Sequence, residues 1–203
     1  MNSVLNKHTE PTVKASGIIL ASQSPRRKQL LEWAEVPFEI MVKETDESYP
    51  DNLSLTEIAV HIARNKALAI QQEHAFIKPV LSADTIVVLD DKVIGKPRDR
   101  EDAITILTGL SGKKHLVITG VVILYDEKEI TFADTTAVEF HELSQEQIIF
   151  YVDKYKPYDK AGAYAIQEWI GVIGIKSVSG DFYNVMGLPV SRVVQELRKI
   201  GIV

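Results

Sequence analysis

The sequence predicts a mixed α/β fold. Three observations carry that expectation. Short β-like runs alternate with amphipathic helical stretches, no internal repeat or low-complexity tract interrupts them, and one long apolar β run is joined to a partner strand by only a short turn. The alternation places helices against a sheet. The tight connection makes the final pair antiparallel, so the sheet is mixed and not the regular doubly wound kind.

Taken in order, Ile18–Ala21 reads as a strand and Arg26–Ala34 as a helix entered through Ser24 and Pro25, a capping hydroxyl followed by a proline suited to a first helical position. Phe38–Val42 is a second strand, and Lys43–Leu53 a polar loop. Ser54-Leu55-Thr56-Glu57 is a capping box opening a helix to about Gln72. Val80–Ala83 and Ile86–Leu89 are strand-like, and Asp90-Asp91 turns the chain into Lys92–Ile94. Asp99 caps a helix through Leu110, which Gly112 helps to end. His115–Tyr125 has the continuous apolar character of a strand buried on both faces. Asp126-Glu127-Lys128 turns it into Glu129–Phe140. Ser144-Gln145-Glu146-Gln147 is a second capping box, for a helix to about Lys154. The Gly-rich segment beyond carries β signal in Gly171–Val178, and a helix over Pro189–Ile200 closes the chain. No Pro/Gly/Ser linker divides it, so residues 17–203 are expected to be a single domain, after a loose polar extension over residues 1–16.

With 203 residues, 45% apolar and 25% charged, the composition is that of a soluble globular protein. The absence of cysteine excludes disulfides and thiolate metal sites and suits a reducing, cytoplasmic compartment. No apolar run is long enough to span a membrane, and residues 1–16 lack the apolar core of a secretory signal. A net charge of −5 argues against stable nucleic-acid binding, yet a local group of Arg and Lys can still make one cleft positive toward a phosphorylated small molecule.

Function is best sought where residue choice conflicts with local structure. Arg26 and Arg27 put two positive charges at the positive end of a helix dipole; they are either solvated or face an anion together with hydroxyls such as Ser22 and Ser24. Lys66 falls on the inward stripe of Leu55, Ile58, Ala59, Ile62 and Ala69, so it either snorkels to water or points into an anion-holding cleft. Asp84 interrupts an apolar β run, where a carboxylate must be paired, ligated or structurally hydrogen-bonded. Lys96, in Gly95-Lys96-Pro97-Arg98-Asp99, is a turn residue or a phosphate contact. Asp159–Gln167 is rich in small residues that let backbone approach a ligand. The five histidines lack zinc-ligand spacing, there is no Walker-type loop or nucleophile elbow, and Trp33 and Trp169 read as packing residues.

Together these segments resemble the Maf family of nucleoside triphosphate pyrophosphatases. The matching stretches are Leu20–Leu31 (LASQSPRRKQLL), Ala63–Ala67 (ARNKA), Ser82–Val87 (SADTIV), Gly95–Pro97 (GKP), Leu110–His115 (LSGKKH), Asp159–Gln167 (DKAGAYAIQ) and Gly187–Pro189 (GLP), in the family's order. The resemblance implies a Maf/ITPase-like fold, a strongly twisted mixed sheet flanked by helices with two lobes around a substrate cleft. It also implies a cytoplasmic homodimer and a divalent metal, Mg²⁺ or Mn²⁺. It makes Asp84 the catalytic base and ties Arg26, Thr85 and Gln167 to substrate choice. Lys66, Lys96 and Glu47 fall on active-site positions; the metal would be held by Asp84 and Glu47, and Ser22 would add a substrate contact. The ending Gly-Ala-Tyr-Ala-Ile-Gln is similar to the branch acting on dTTP and UTP. The alternatives are a 7-methyl-GTP or modified-purine pyrophosphatase, or a non-catalytic nucleotide-binding regulator of septum formation. A Gln amide, both donor and acceptor, suits the carbonyls and N3–H of uracil and thymine.

Overall fold

The computed structural model describes residues 17–72 and 78–203. The extension expected over residues 1–16 lies outside the described residues. Among the described residues, seven strands form one mixed sheet in the order β2-β1-β3-β5-β6-β7, with β4 paired to β3 off that path. They are β1 (Ile18–Leu20), β2 (Phe38–Ile40), β3 (Val80–Leu89), β4 (Lys92–Ile94), β5 (Lys114–Tyr125), β6 (Lys128–Phe140) and β7 (Ile175–Ser179). The helices are α1 (Pro25–Trp33), α2 (Leu55–Gln71), α3 (Arg100–Leu110), α4 (Gln145–Tyr155), α5 (Trp169–Gly174), α6 (Phe182–Met186) and α7 (Val190–Lys199), with a 3₁₀ turn at Ala161–Ala163. Among the described residues, no helix is long and apolar enough to cross a membrane.

The local signals act as their chemistry requires. Ser24 caps α1 with Pro25 in its first turn, Asp99 caps α3, and the boxes at Ser54 and Ser144 are both complete. Asp90 and Asp91 both take positive φ, the conformation a two-residue hairpin turn demands. The Gly171–Val178 β signal is half right. Gly171 begins instead inside α5, because its Cα lies so close to Ile166 that a Cβ would stand 1.7 Å from the Ile166 carbonyl oxygen; the strand starts only at Ile175. Trp169 is partly buried, edge-on to Phe150, but Trp33, expected to pack, is largely exposed.

One sheet face carries the main core, joining β3, β5 and β6 to α1, α3, α4 and α7 through residues such as Leu30, Val87, Leu107, Val121, Tyr151 and Leu197. Among the described residues, α2 covers the other face. Its apolar stripe runs through Ile58, Ala59, Ile62, Ala63, Ala67 and Ile70, bypassing the expected Ala69. Two apolar clusters lie beneath it, one around Ile86, Val88 and Ile118, the other around Val80, Val122 and Leu124. Between them Gly120 lets the helix backbone descend onto β5; a Cβ there would meet Ala59 C and Val60 N at 2.3 Å.

His115 shows what this core costs in charge. It is 2% exposed, its ring is 2.7 Å from the Tyr164 hydroxyl through Nε2, and among the described residues its Nδ1 has no partner. Burial pushes its pKa down to about 4. Unfolded chain therefore binds the proton first as pH falls, and stability is lost between about pH 6.5 and about pH 4, by up to about 3 kcal/mol. Denaturant melts of the wild type and His115→Gln across that window should show a shallower pH slope in the variant; parallel slopes would contradict this account.

Candidate active site

The sheet is split at β3, and the split makes the site. β1 pairs with β3 only at Val80 and Leu81, whereas β4 joins the same edge only from Val87. Between those points that edge is in register with neither strand. The strand itself does not break, as the two separate β signals suggested, because β5 pairs with it throughout, Asp84 opposite Gly120 and Thr85 opposite Thr119. Consecutive strand residues point to opposite faces. Asp84 therefore faces α2, and Thr85 the main core.

A cavity of about 400 Å³ opens along this split, lined by residues from the loop between β1 and α1, α1, the loop after β2, α2, β3, β5, the segment around Lys96, the 3₁₀ turn and α6. Six cations (Arg26, Arg27, Lys43, Lys66, Lys96, Lys160) and four carboxylates (Glu44, Glu47, Asp84, Asp159) line it, so it is locally positive within a chain of net charge −5. Such a cavity is suited to a polyanion.

On the α2 side, Lys66 Nζ lies 2.6 Å from Asp84 Oδ1 and 2.8 Å from Glu47 Oε1. Asp84 and Lys66 are mostly buried, their side chains 13% and 18% exposed. Lys96 approaches the other oxygen of Glu47 at 3.7 Å. Partial burial opposes ionisation of Glu47, but the Lys66 hydrogen bond and charge, with Lys96 and Arg27, outweigh it and hold its pKa below the ordinary value. The stripe that placed Lys66 inward was the correct signal, since α2 rests on Gly120 and carries the ammonium over Asp84.

On the other side, Arg27 turns into the protein. Nε donates to the Gly187 carbonyl at 2.7 Å, Nη1 to Ser22 Oγ at 3.0 Å and Nη2 to Thr85 Oγ1 at 3.0 Å. Burial lowers its pKa, with the charge of Asp84 working against that shift. Arg26 stays at the cavity wall, 3.4 Å from Asp159, which also takes Lys160 Nζ at 2.8 Å. Burial of the Asp159 carboxyl opposes its ionisation; Lys160, by hydrogen bond and charge, and Arg26 more than offset this and keep its pKa low.

The structure thus gathers Ser22, Arg26, Glu47, Lys66, Asp84, Thr85 and Lys96 around one cavity. Gln167 is not among its lining residues and is exposed. The turn closed by the Glu168 N–H to Ala165 carbonyl bond leaves Lys160, Ala161, Tyr164 and Ala165 facing inward and Gln167 outward. Sequence reasoning treated Arg27 as a twin of Arg26 and overlooked Lys160 and Thr119. Arg27 and Lys160 carried no separate signal, and Thr119 was hidden because threonine is at home in a strand.

Among the described residues, no group of three or more His, Cys, Asp or Glu side chains could hold a metal ion. Asp84 and Glu47 nevertheless converge on one ammonium, and two carboxylates are the protein share of the set that Mg²⁺ or Mn²⁺ takes when phosphates complete its shell. The residues fit an ion that arrives with a phosphorylated ligand, not one held by protein alone.

A family model described as "Maf-like protein" matches residues 17–200. The dTTP/UTP pyrophosphatase of Parabacteroides distasonis is 49% identical over 187 residues, covering 92% of this chain and 97% of that protein. Those of Bacteroides thetaiotaomicron and Cytophaga hutchinsonii are each 50% identical, over 90% of this chain and 95% and 84% of theirs. A solved structure, a nucleoside-triphosphatase / dITP/XTP pyrophosphatase from Mycobacterium abscessus, overlaps 61% of this chain and 72% of its own at 14% identity; its TM-score of 0.38 is too low to bear on the fold.

Proposed function

This chain belongs to the Maf family, and on that footing we propose that it is a hydrolase cutting dTTP and UTP into the nucleoside monophosphate and pyrophosphate. The observation that carries the reading is Asp84 held against Lys66 in a cavity lined by further cations from distant segments. A triphosphate needs that positive surround, and hydrolysis at its α-phosphorus needs a carboxylate able to take a proton from water.

In this reading Lys66 occupies Asp84 Oδ1, leaving Oδ2 to accept the proton as water attacks the α-phosphorus. The electron pair of the breaking α–β bond leaves with pyrophosphate. Arg26, Lys66 and Lys96 grip the phosphates and offset the charge that develops on the leaving oxygen, while Ser22 lines the approach. Asp84 and Glu47 would hold the Mg²⁺ or Mn²⁺ ion, which when bound supplies charge neutralisation at the phosphate oxygens. Thr85 faces the nucleoside end; Gln167, at the surface, would reach a base only if the turn at Ala165–Glu168 closes inward. Residues 17–203 would work as one catalytic unit, in a homodimer; the cytoplasmic setting rests on the cysteine-free composition.

The test is a panel of nucleoside triphosphates assayed for pyrophosphate with Mg²⁺ or Mn²⁺, then with chelator. Pyrophosphate should come from dTTP and UTP ahead of 7-methyl-GTP and purine triphosphates, stop on chelation and return with metal. Release of single phosphates, or nucleotide binding without turnover, would refute the proposal.

A further inference from the structure

The hydroxyl of Thr85 belongs to a chain of hydrogen bonds whose direction is set by its ends. Thr85 and Thr119 are paired across β3 and β5, their Oγ1 atoms 2.9 Å apart. Each has one proton. At one end Arg27 Nη2, able only to donate, lies 3.0 Å from Thr85 Oγ1. At the other, the Asn184 backbone carbonyl, able only to accept, lies 3.1 Å from Thr119 Oγ1. The order that satisfies both ends runs from Arg27 to Thr85, from Thr85 to Thr119, and from Thr119 to the Asn184 carbonyl. The other outlet for the Thr85 proton inside the protein is the Gly187 carbonyl, at 3.5 Å. At 2.9 Å against 3.5 Å, a separation beyond the ordinary O–H···O range, the proton goes to Thr119.

The far end of the chain is fixed. The Asn184 amide donates to the Val117 carbonyl at 3.1 Å and to Thr136 Oγ1 at 3.0 Å, and Thr136 donates to the Asp181 carbonyl at 2.9 Å. Thr119, Thr136 and Asn184 are wholly buried, so none can turn to water without leaving a buried partner unsatisfied.

Thr85 lines the cavity on the face away from Asp84, where Val117, Val185 and Met186 supply an apolar wall. Phosphates belong with the cations beside Asp84, which leaves this wall for the nucleoside. We infer that Thr119 is a positioning residue for specificity: by holding the Thr85 proton it makes Thr85 solely an acceptor toward the nucleoside. The cavity then admits a hydrogen-bond donor at that point, a ring N–H or a sugar hydroxyl, and penalises an acceptor. The inference rests on the pyrophosphatase reading and adds to it a residue that touches no substrate.

The experiment compares pyrophosphate release by the wild type, Thr119→Val and Thr119→Ser. UTP against CTP, whose N3 is an acceptor, probes the ring N–H; UTP against 3′-deoxy-UTP probes the sugar hydroxyl. In the wild type one arm should show a kcat/KM penalty of roughly tenfold or more. Thr119→Val should erase most of that penalty, chiefly through KM, and Thr119→Ser, which keeps the hydroxyl, should retain it. A Thr119→Val enzyme impaired equally on all three nucleotides, or with both ratios unchanged, would overturn the inference while leaving the activity in place. A wild type that releases no pyrophosphate from UTP would remove the pyrophosphatase reading and this inference together.

Discussion

Replacing Asp84 with Asn should lower pyrophosphate release from dTTP by about a thousandfold or more, with the melting temperature changed by only a few degrees. The amide keeps the shape of the carboxylate and can still accept from Lys66, 2.6 Å away, so the strand and helix have no steric reason to move. What it loses is the capacity to take a proton, worth about 10²–10⁴ in rate for a positioned base, and the charge that helps to hold a divalent ion. Lys66 keeps Glu47 at 2.8 Å, so its ammonium is not stranded. Single-turnover rates with thermal melts on the same preparations decide the matter. Wild-type turnover in Asp84→Asn would end the assignment of Asp84 as base.

The second large effect is expected at an uncharged position, the glycine paired with Asp84 across β3 and β5. Gly120→Ala puts a methyl group 2.3 Å from Ala59 C and Val60 N and 2.6 Å from the Ala59 carbonyl oxygen, all backbone. No rotamer change relieves a clash with backbone, so α2 must lift off the sheet and take Lys66 away from Asp84. The cost should exceed about 3 kcal/mol, beyond the usual range for an overpacked side chain. Activity should fall even at temperatures where the variant stays folded. Gly109→Ala, in α3 with nothing within 4 Å of the added atom, serves as control and should be neutral or stabilising by about 0.5–1 kcal/mol. Equal denaturation midpoints for Gly120→Ala and the wild type would show that α2 does not depend on this close approach.

Much of the fold was legible because its signals are local. The capping boxes at Ser54 and Ser144, the Asp90-Asp91 turn and the apolar run beginning at His115 each act within a few residues, and each element lies where those signals put it. The site was legible where a residue violated its surroundings, as Asp84 and Lys66 did. Less legible was anything set by contacts across the chain. Nothing near Arg27 foretold that it, and not Arg26, would reach the Gly187 carbonyl, 160 residues away. The outward turn of Gln167 depends on how the 3₁₀ turn meets α5, and the inward turn of Gly171 into α5 depends on the Ile166 carbonyl. Alternating apolar residues record neither.

That same span has a kinetic meaning. Lys66 and Asp84 are 18 residues apart, so closing the loop between them costs little entropy, whereas Arg27 must wait for Gly187. A growing polypeptide therefore contains its acid and ammonium well before the α6 residues that wall the cavity opposite them. The guanidinium acts as a latch that cannot shut until the residue that receives its Nε–H, Gly187, is in place.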